Sequence, residues 1–290
     1  MFDTLDDMDS SQWLANIKNQ EWPAECSRCQ QTESINQTSI RLNAIDFDNA
    51  QTQPDYLIVG GVLDNVCNSA CQTCNAGYST RIGSLSGREF LVVDNSEKFW
   101  SLPLDRVVHL DLNGGEPSYS KNYKKILTNL PASVKSIRLN TNCSTVLTEL
   151  LPLVEQGIDV TVTVSFDGMG PVHDYIRWPI TWNKFYRNLM TYKQMPVKLN
   201  LWTTVNAFNV GTIDLMIEFA HSHGIDHSWA LLNHPTELNI EYQNRYTLTA
   251  ETKHDGIRQY LAVKENNQAE LDAYIAHQDQ LRGIRVMDYL

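Results

Sequence analysis

The stretch RVVHLDLNGG, residues 106–115, decides the fold class of this chain. It is a run of apolar and β-branched residues that stops at two glycines, which is typical of a buried strand followed by a tight turn. Five other runs of this kind recur along the chain, and helical patterns lie between most of them. The predicted strands are 55–63, 106–113, 133–140, 159–166, 196–205 and 226–233, and the predicted helices between them are 119–129, 144–156, 181–194 and 211–223.

Strands that alternate with helices predict repeated βα units with parallel strands. Two topologies fit this pattern, a doubly wound sheet and a barrel, and both bind ligands at the carboxyl ends of their strands. Polar and unusual residues do follow the predicted strands, which indicates an active site on one face. The first four strands are followed by three cysteines, by Asn113-Gly114-Gly115-Glu116-Pro117, by Thr141-Asn142-Cys143 and by Asp167-Gly168.

Composition excludes several classes of protein. The chain has 290 residues and a formal net charge of −11, which permits one large α/β domain or two smaller ones. Its basic residues do not cluster, which argues against a nucleic-acid partner. No apolar run is long enough to span a bilayer, and the first ten residues are acidic where a signal peptide is basic. We therefore expect a soluble, cytoplasmic protein with no membrane partner.

The cysteines indicate metal. Five of the six fall in two tight clusters, and a reducing cytosol disfavours disulfides. Cys67, Cys71 and Cys74 form a C-x-x-x-C-x-x-C loop, which can ligate three irons of a [4Fe–4S] cluster and leave the fourth open. The alternative is a zinc site with a fourth ligand from elsewhere, for which His109 is a candidate without the usual spacing.

The cysteine triplet, together with Gly114-Gly115-Glu116-Pro117, resembles the radical S-adenosylmethionine (SAM) enzymes. Looser similarity continues through residues 165–168 and 173–177, and the resemblance covers roughly residues 55–235. It implies a partial (β/α)6 TIM-like barrel and a [4Fe–4S] cluster whose open iron binds SAM. One-electron reduction would cleave SAM to methionine and a 5′-deoxyadenosyl radical, which abstracts hydrogen from a substrate. An electron donor such as flavodoxin or ferredoxin is implied as a partner.

The resemblance also assigns roles to the turn after the second strand. Gly114 and Gly115 would let the backbone approach the methionine part of SAM, since they have no side chain. Glu116 would accept hydrogen bonds from the SAM ammonium group, and Pro117 would fix the turn.

Further residues would hold the rest of the cofactor. Ser165 and Arg177 resemble the residues that bind the SAM carboxylate and ribose, with Asp167 as a second candidate for the ribose hydroxyls. Thr73 stands where the family usually has an aromatic residue near the adenine, and Tyr78 is a candidate to replace it. Two asparagines lie where the third strand meets the cofactor: Asn140 and Asn142.

Cys143 has two interpretations. It is most simply a small buried residue near a strand end. The sharper hypothesis is catalytic, with a thiol that faces the SAM pocket and donates a hydrogen atom to a product radical.

The N-terminal part carries its own cysteine pair, Cys26 and Cys29. Together with Trp22-Pro23 and Ser39-x-Arg41, this pair resembles the end of a SPASM/twitch module. Such modules hold auxiliary iron–sulfur clusters in peptide- and protein-modifying radical SAM enzymes, which points to a peptide or protein side chain as substrate. The further upstream cysteines of those modules are missing. We expect either a degenerate second iron–sulfur or zinc site, a truncated form, or a ligand from elsewhere.

These observations predict three parts. Residues 1–52 form a twitch-like extension, 53–235 the partial barrel, and 236–290 a C-terminal segment of two helices, roughly 249–264 and 266–282. The expected function is reductive cleavage of SAM followed by hydrogen abstraction. The alternatives are a catalytically inactive iron–sulfur scaffold and a zinc-binding structural protein.

Overall fold

The computed structural model describes residues 19, 21, 22, 30, 56–261 and 265–290. The chain divides into two units, 1–56 and 57–290, and the elements described below belong to the second. Cys26 and Cys29 lie outside the described residues, so the predicted second metal site stays a prediction. None of the helices in the described part of the chain is both long and apolar enough to cross a bilayer.

All six predicted strands are confirmed, and they form one parallel sheet. The order in the sheet follows the order in the chain. Because a right-handed crossover places its helix on a fixed side, an order without reversal puts every connection on the same face of the sheet. The fold is therefore α/β with an open, partial (β/α)6 barrel, and the doubly wound alternative is excluded. The strands are β1 (Leu57–Val62), β2 (Val107–Asn113), β3 (Ser136–Thr141), β4 (Asp159–Ser165), β5 (Lys198–Val205) and β6 (Asp226–Leu231).

Helices fill the connections between the strands and the segment that follows β6. Ser120 caps one of them, because its hydroxyl oxygen accepts from the backbone N–H groups of Asn122 and Tyr123. In the described residues the helices are α1 (Thr80–Ser86), α2 (Ser96–Trp100), α3 (Lys121–Thr128), α4 (Leu151–Glu155), α5 (Pro171–Ile176), α6 (Trp182–Gln194), α7 (Ile213–Ser222), α8 (Asp255–Arg258) and α9 (Gln268–Arg282).

The helix expected over 249–264 begins later than predicted in its described part, 249–261. Residues 249–254 are not helical, and α8 followed by a 3-10 turn, Gln259–Leu261, covers the rest of that part. The residues before α8 are held by Asp214 of α7 instead. The Thr252 hydroxyl and the Lys253 backbone N–H each donate to the Asp214 carboxylate at 2.7 Å. This tertiary contact holds the segment in a non-helical conformation against its local preference.

The two faces of the sheet differ in polarity. Alternate residues point to opposite faces of a strand, and one set is apolar and buried beneath the helices. The other set is polar and faces the interior of the open barrel; there Asn140 of β3 donates to Asn113 of β2 at 2.5 Å, and Arg138 pairs with Asp111. The buried set includes Leu110, Leu112, Ile137, Leu139, Val160, Val162, Val164 and Leu201.

The C-terminal helix α9 packs on the barrel through a separate apolar cluster. Leu271 and Ile275 of α9 meet Tyr175 and Ile176 of α5, all at most 5% exposed. The helix ends at Gly283, whose φ of +65° is a left-handed conformation that favours glycine.

Acid is expected to destabilise the fold through His173 of α5. Its ring is fully buried against the rings of Trp182 and Phe185. Burial, aided by the charge of Arg177, lowers the pKa of His173 from 6.5 to about 3. Between these two values the unfolded chain binds one more proton than the folded chain. The free energy of unfolding therefore falls as the pH falls, by up to about 1.4 kcal/mol per pH unit.

Urea unfolding at several pH values from about 7 down to about 4 measures this slope. In the variant His173→Phe the free energy of unfolding is expected to depend less steeply on pH, by up to about 1.4 kcal/mol per pH unit, whatever the stability of the variant at neutral pH. His277→Phe, at an exposed position of α9, is the control and should keep the wild-type slope. Equal slopes for wild type and His173→Phe would contradict the prediction.

Candidate functional site

A cavity of about 360 Å³ lies at the carboxyl ends of β1 to β4. Its volume falls in the range of small-molecule sites. The structure brings together in its wall the three cysteines of the C-x-x-x-C-x-x-C loop and eight other predicted site residues. The residues of the wall are Val62, Cys67, Ser69, Cys71, Thr73, Cys74, Tyr78, Asn113, Gly114, Gly115, Asn140, Thr141, Asn142, Ser165 and Arg177.

The cysteine loop, residues 67–74, is organised around Ser69. The Ser69 hydroxyl oxygen lies 3.3 Å from the Cys67 sulfur and accepts from the Cys71 thiol at 3.5 Å. Burial raises the pKa of Cys67, and it raises the pKa of Cys74 to about 12. Both thiols therefore carry protons at neutral pH in the metal-free chain, and a metal centre would have to displace them. Within residues 56–261 and 265–290, no three His, Cys, Asp or Glu side chains are arranged to hold a single metal ion.

Asn142 joins the cysteine loop to the end of β3. Its side-chain amide donates to Asn68 Oδ1 at 2.9 Å and to the Ser69 hydroxyl oxygen at 3.1 Å. Its own Oδ1 accepts from the backbone N–H of Ser144 at 2.9 Å. Asn142 therefore fixes Ser69 beside the thiols.

The glycine turn, residues 113–117, packs directly on the start of the cysteine loop. The backbone N–H of Gly115 donates to Asp64 O and that of Glu116 to Val66 O, each at 2.8 Å. A Cβ on Gly114 would lie 2.3 Å from Asp64 O, and one on Gly115 would lie 2.1 Å from Val66 O. Both glycines are therefore required because the glycine turn lies in close contact with the start of the cysteine loop. The sequence-based prediction assigned these glycines to cofactor contact and did not include this packing.

Replacing Gly115 with alanine is expected to lower the free energy of unfolding by about 3 kcal/mol, because the new methyl group collides with backbone atoms that cannot rotate away. Gly211→Ala is the matched control. No heavy atom lies within 4 Å of its Cβ position, so its effect should stay within about 1 kcal/mol. Urea unfolding of both variants checks the prediction, and equal stabilities would contradict it.

Glu116 and Pro117 are both buried and do not belong to the cavity wall. The Glu116 carboxylate is fully buried, and burial raises its pKa despite four hydrogen-bond donors. These donors are the backbone N–H and hydroxyl of Ser118, the Thr141 hydroxyl and the backbone N–H of Asn142, at 2.6–3.0 Å. The carboxylate thus ties β2 to β3. Its expected contact with a SAM ammonium group has no support in this geometry.

Asp167 and Arg177 form a buried ion pair. The Arg177 Nη2 atom lies 2.5 Å from Asp167 Oδ2, and the Asp167 side chain is fully buried. Asp167 Oδ1 accepts from the backbone N–H of Thr204 at 2.8 Å. Arg177 Nη1 donates to the Cys71 sulfur at 3.5 Å. The structure therefore engages Asp167 within the protein, away from the cavity wall, while Arg177 borders the cavity as a cation beside the cysteines.

Cys143 does not reach the cavity. Its backbone follows β3 with a φ of 60°, but the side chain is fully buried and its thiol donates to Phe185 O at 3.8 Å. The expectation that this thiol faces the pocket is corrected by the structure. The reason is that the turn after β3 directs the side chain toward α6.

Two residues beyond the barrel also contact the cysteine loop, and sequence analysis missed both. They are Tyr274 and Arg282 of α9, which bind main-chain carbonyl groups of residues 70–72. A tyrosine and an arginine on a predicted helix are ordinary, so the sequence carries no signal for these contacts.

Comparison with known proteins gives structural matches only. No protein-family model matches the chain, and no curated protein sequence does. The fold is similar to SuiB of Streptococcus suis, solved bound to S-adenosylmethionine (14% identity, TM-score 0.48) and bound to the precursor peptide SuiA (13%, 0.49). A further SuiB structure gives 13% and 0.44. The matches cover 93%, 93% and 95% of this chain but 60% of each SuiB chain.

Proposed function

We propose that this protein is a radical SAM enzyme that binds a [4Fe–4S] cluster through Cys67, Cys71 and Cys74. The observation that carries the proposal is that these three thiols and the glycine turn border one cavity at the carboxyl ends of the strands. When bound, such a cluster supplies the electron that splits SAM into methionine and an adenosyl fragment able to abstract hydrogen from a substrate.

The donor set fits a cluster better than it fits one zinc ion. A tetrahedral zinc ion draws four ligand atoms to about 2.0–2.3 Å from one centre, whereas a cluster offers a separate iron to each thiolate and spreads them apart. Three thiolates on an iron–sulfur core also concentrate negative charge. Arg177, which donates to the Cys71 sulfur, offers a compensating cation at that point.

The rest of the wall supplies polar groups for a cofactor such as SAM. The side chains of Asn113, Asn140 and Ser165 lie around the same cavity as the backbone of the two glycines. These groups would orient the amino-acid and ribose parts, and Tyr78, which is 58% exposed at the cavity wall, offers a ring for the adenine. Arg177 would hold Cys71 and Asp167 in place rather than grip the ribose.

The substrate and the electron donor belong to the proposal as well. The polar inner face of the sheet continues from the cavity, through Asn140 and Arg138 on β3 and Trp202, 37% exposed, on β5. An open, polar face of this kind suits a large substrate, so we propose a peptide or protein side chain. Flavodoxin or ferredoxin would supply the electron.

The deciding experiment is anaerobic reconstitution with iron and sulfide, reduction with dithionite in the presence of SAM, and quantification of 5′-deoxyadenosine. We expect a brown protein with iron and sulfide in equal amounts and 5′-deoxyadenosine that forms only when SAM and reductant are both present. A fully reconstituted protein that forms none would be an iron–sulfur scaffold. A colourless protein that carries zinc and takes up no iron would instead be a zinc-binding structural protein.

A further inference from the structure

Helix α9 supplies hydrogen-bond donors to three consecutive carbonyl groups of the cysteine loop. Arg282 donates from Nε to Ala70 O at 2.6 Å and from Nη2 to Cys71 O at 3.0 Å. The Tyr274 hydroxyl donates to Gln72 O at 2.5 Å. These two side chains therefore cover the main chain on both sides of Cys71, the middle cysteine.

The opposite side of the same loop is bound by the chain around the end of α5. The backbone N–H groups of Ala70 and Gln72 donate to Trp178 O and Ile176 O, each at 2.8 Å. The loop is thus held between two parts of the fold that are distant in sequence. Within residues 70–72, one of these groups also bonds inside the loop, since Cys71 O accepts from the Cys74 N–H at 3.2 Å. The other backbone bonds of residues 70–72 described above go to α9 and to the chain around the end of α5, so the loop conformation depends on α9 being in place.

Arg282 is held rigidly enough to serve this purpose. It is 5% exposed, and its Nη1 atom donates to Gln278 O at 2.9 Å one turn earlier in α9. Within the described residues its hydrogen bonds go to neutral oxygen atoms of Ala70, Cys71 and Gln278. The guanidinium interacts electrostatically with the buried Asp279 carboxylate of the same helix and with the Cys71 sulfur, so its positive charge acts on both.

We propose that α9 belongs to the cofactor site and that its residues Tyr274 and Arg282 are positioning residues. They hold residues 70–72 so that the cysteines present their sulfur atoms to the cavity, and Arg282 adds a second cation beside Arg177. The effect on a bound cluster rests on the proposed function. The effect on the loop itself does not, because the contacts join side chains of α9 to main-chain atoms of the same chain.

The first test uses the full-length, metal-free protein and measures alkylation of each cysteine by iodoacetamide with mass spectrometry. Arg282→Met is expected to raise the alkylation rates of Cys67, Cys71 and Cys74 about tenfold, and Tyr274→Phe several-fold, because each loses a hydrogen bond or two to the loop. Tyr192→Phe is the matched control. It loses one buried hydroxyl that accepts from the Leu147 N–H at 2.9 Å and donates to Thr145 O at 3.3 Å, and it touches none of the three carbonyl groups.

The second test measures the midpoint potential of the reconstituted cluster and its resistance to a chelator. Arg282→Met is expected to shift the potential to more negative values, because a cation near the cluster favours the reduced state. Arg282→Lys keeps the charge and should restore the potential while the chelator still removes iron faster than from wild type. If Arg282 only stabilised the fold, both variants would lower the thermal stability, and their midpoint potentials would not differ from each other.

The outcomes separate the two proposals. Wild-type rates of alkylation in both Tyr274→Phe and Arg282→Met, with circular dichroism like that of wild type, would overturn the role of α9. So would an equal rise in Tyr192→Phe. A wild-type protein that takes up no iron would end the proposed function, and the alkylation rates would still decide whether α9 holds the loop.

Discussion

Replacing Cys67, Cys71 and Cys74 together with alanine is expected to abolish iron binding in the barrel and the formation of 5′-deoxyadenosine. Loss of groups that merely support metal ligands already costs about 10–100-fold in affinity or activity. Loss of the ligands themselves should therefore exceed 100-fold. Iron and sulfide analysis after anaerobic reconstitution, together with the product assay, measures both effects.

The matched control for this variant is Cys143→Ala. Its thiol is fully buried and binds Phe185 O rather than bordering the cavity, so iron content and product formation should stay at the wild-type level. Full iron content in the triple variant would contradict the assignment of the cluster ligands. If the triple variant binds a smaller but reproducible amount of iron and sulfide per chain, this would instead indicate a second centre, for which Cys26 and Cys29 are the predicted ligands.

Replacing Arg177 with glutamine is expected to lower the free energy of unfolding by about 3–5 kcal/mol, the usual cost of leaving a buried charge without its partner. The carboxylate of Asp167 is fully buried, and its Oδ2 atom faces the guanidinium at 2.5 Å. Glutamine reaches less far and brings no charge. Urea unfolding at neutral pH measures the loss.

Two further variants show whether the loss comes from the unpaired charge. Asp167→Asn combined with Arg177→Gln removes both charges and keeps an oxygen for the Thr204 N–H, so it should recover most of the stability. Arg245→Gln breaks an ion pair with Asp272 at 2.8 Å in which both side chains are about half exposed. It should cost less than about 1 kcal/mol. A loss at Arg177 no larger than at Arg245 would refute the argument from burial.

The strands could be predicted from the sequence because each buried strand is a dense run of β-branched and apolar residues bounded by turn residues. The choice between barrel and doubly wound sheet could not, since both use the same βα units. Only the pairing of each strand with the next, from β1 to β6, decides it. Local pattern was also insufficient at 249–254, where the contacts of Thr252 and Lys253 with Asp214 replace the first part of the predicted helix.

For the candidate site, the sequence predicts which residues lie at the ends of the strands but not which way their side chains point. The predicted positions after the strands do meet at one cavity, because parallel strands end at one edge. Which way a side chain turns was beyond the sequence. Glu116 and Cys143 follow β2 and β3 as expected, yet both side chains turn into the protein. The contribution of α9 was equally hidden, because Arg282 lies 212 residues from Ala70 in sequence.

That separation has a consequence for biosynthesis. Cys67, Cys71 and Cys74 leave the ribosome long before Tyr274 and Arg282, so the nascent loop lacks the donors that cover residues 70–72. Domains generally fold as units during synthesis, and we expect this loop to complete its folded form once α9 has been made and has docked. On the proposed function, loading of the cluster is then expected to be post-translational, on a chain that has already folded through α9. A nascent chain stalled before α9 should carry accessible, unloaded cysteines.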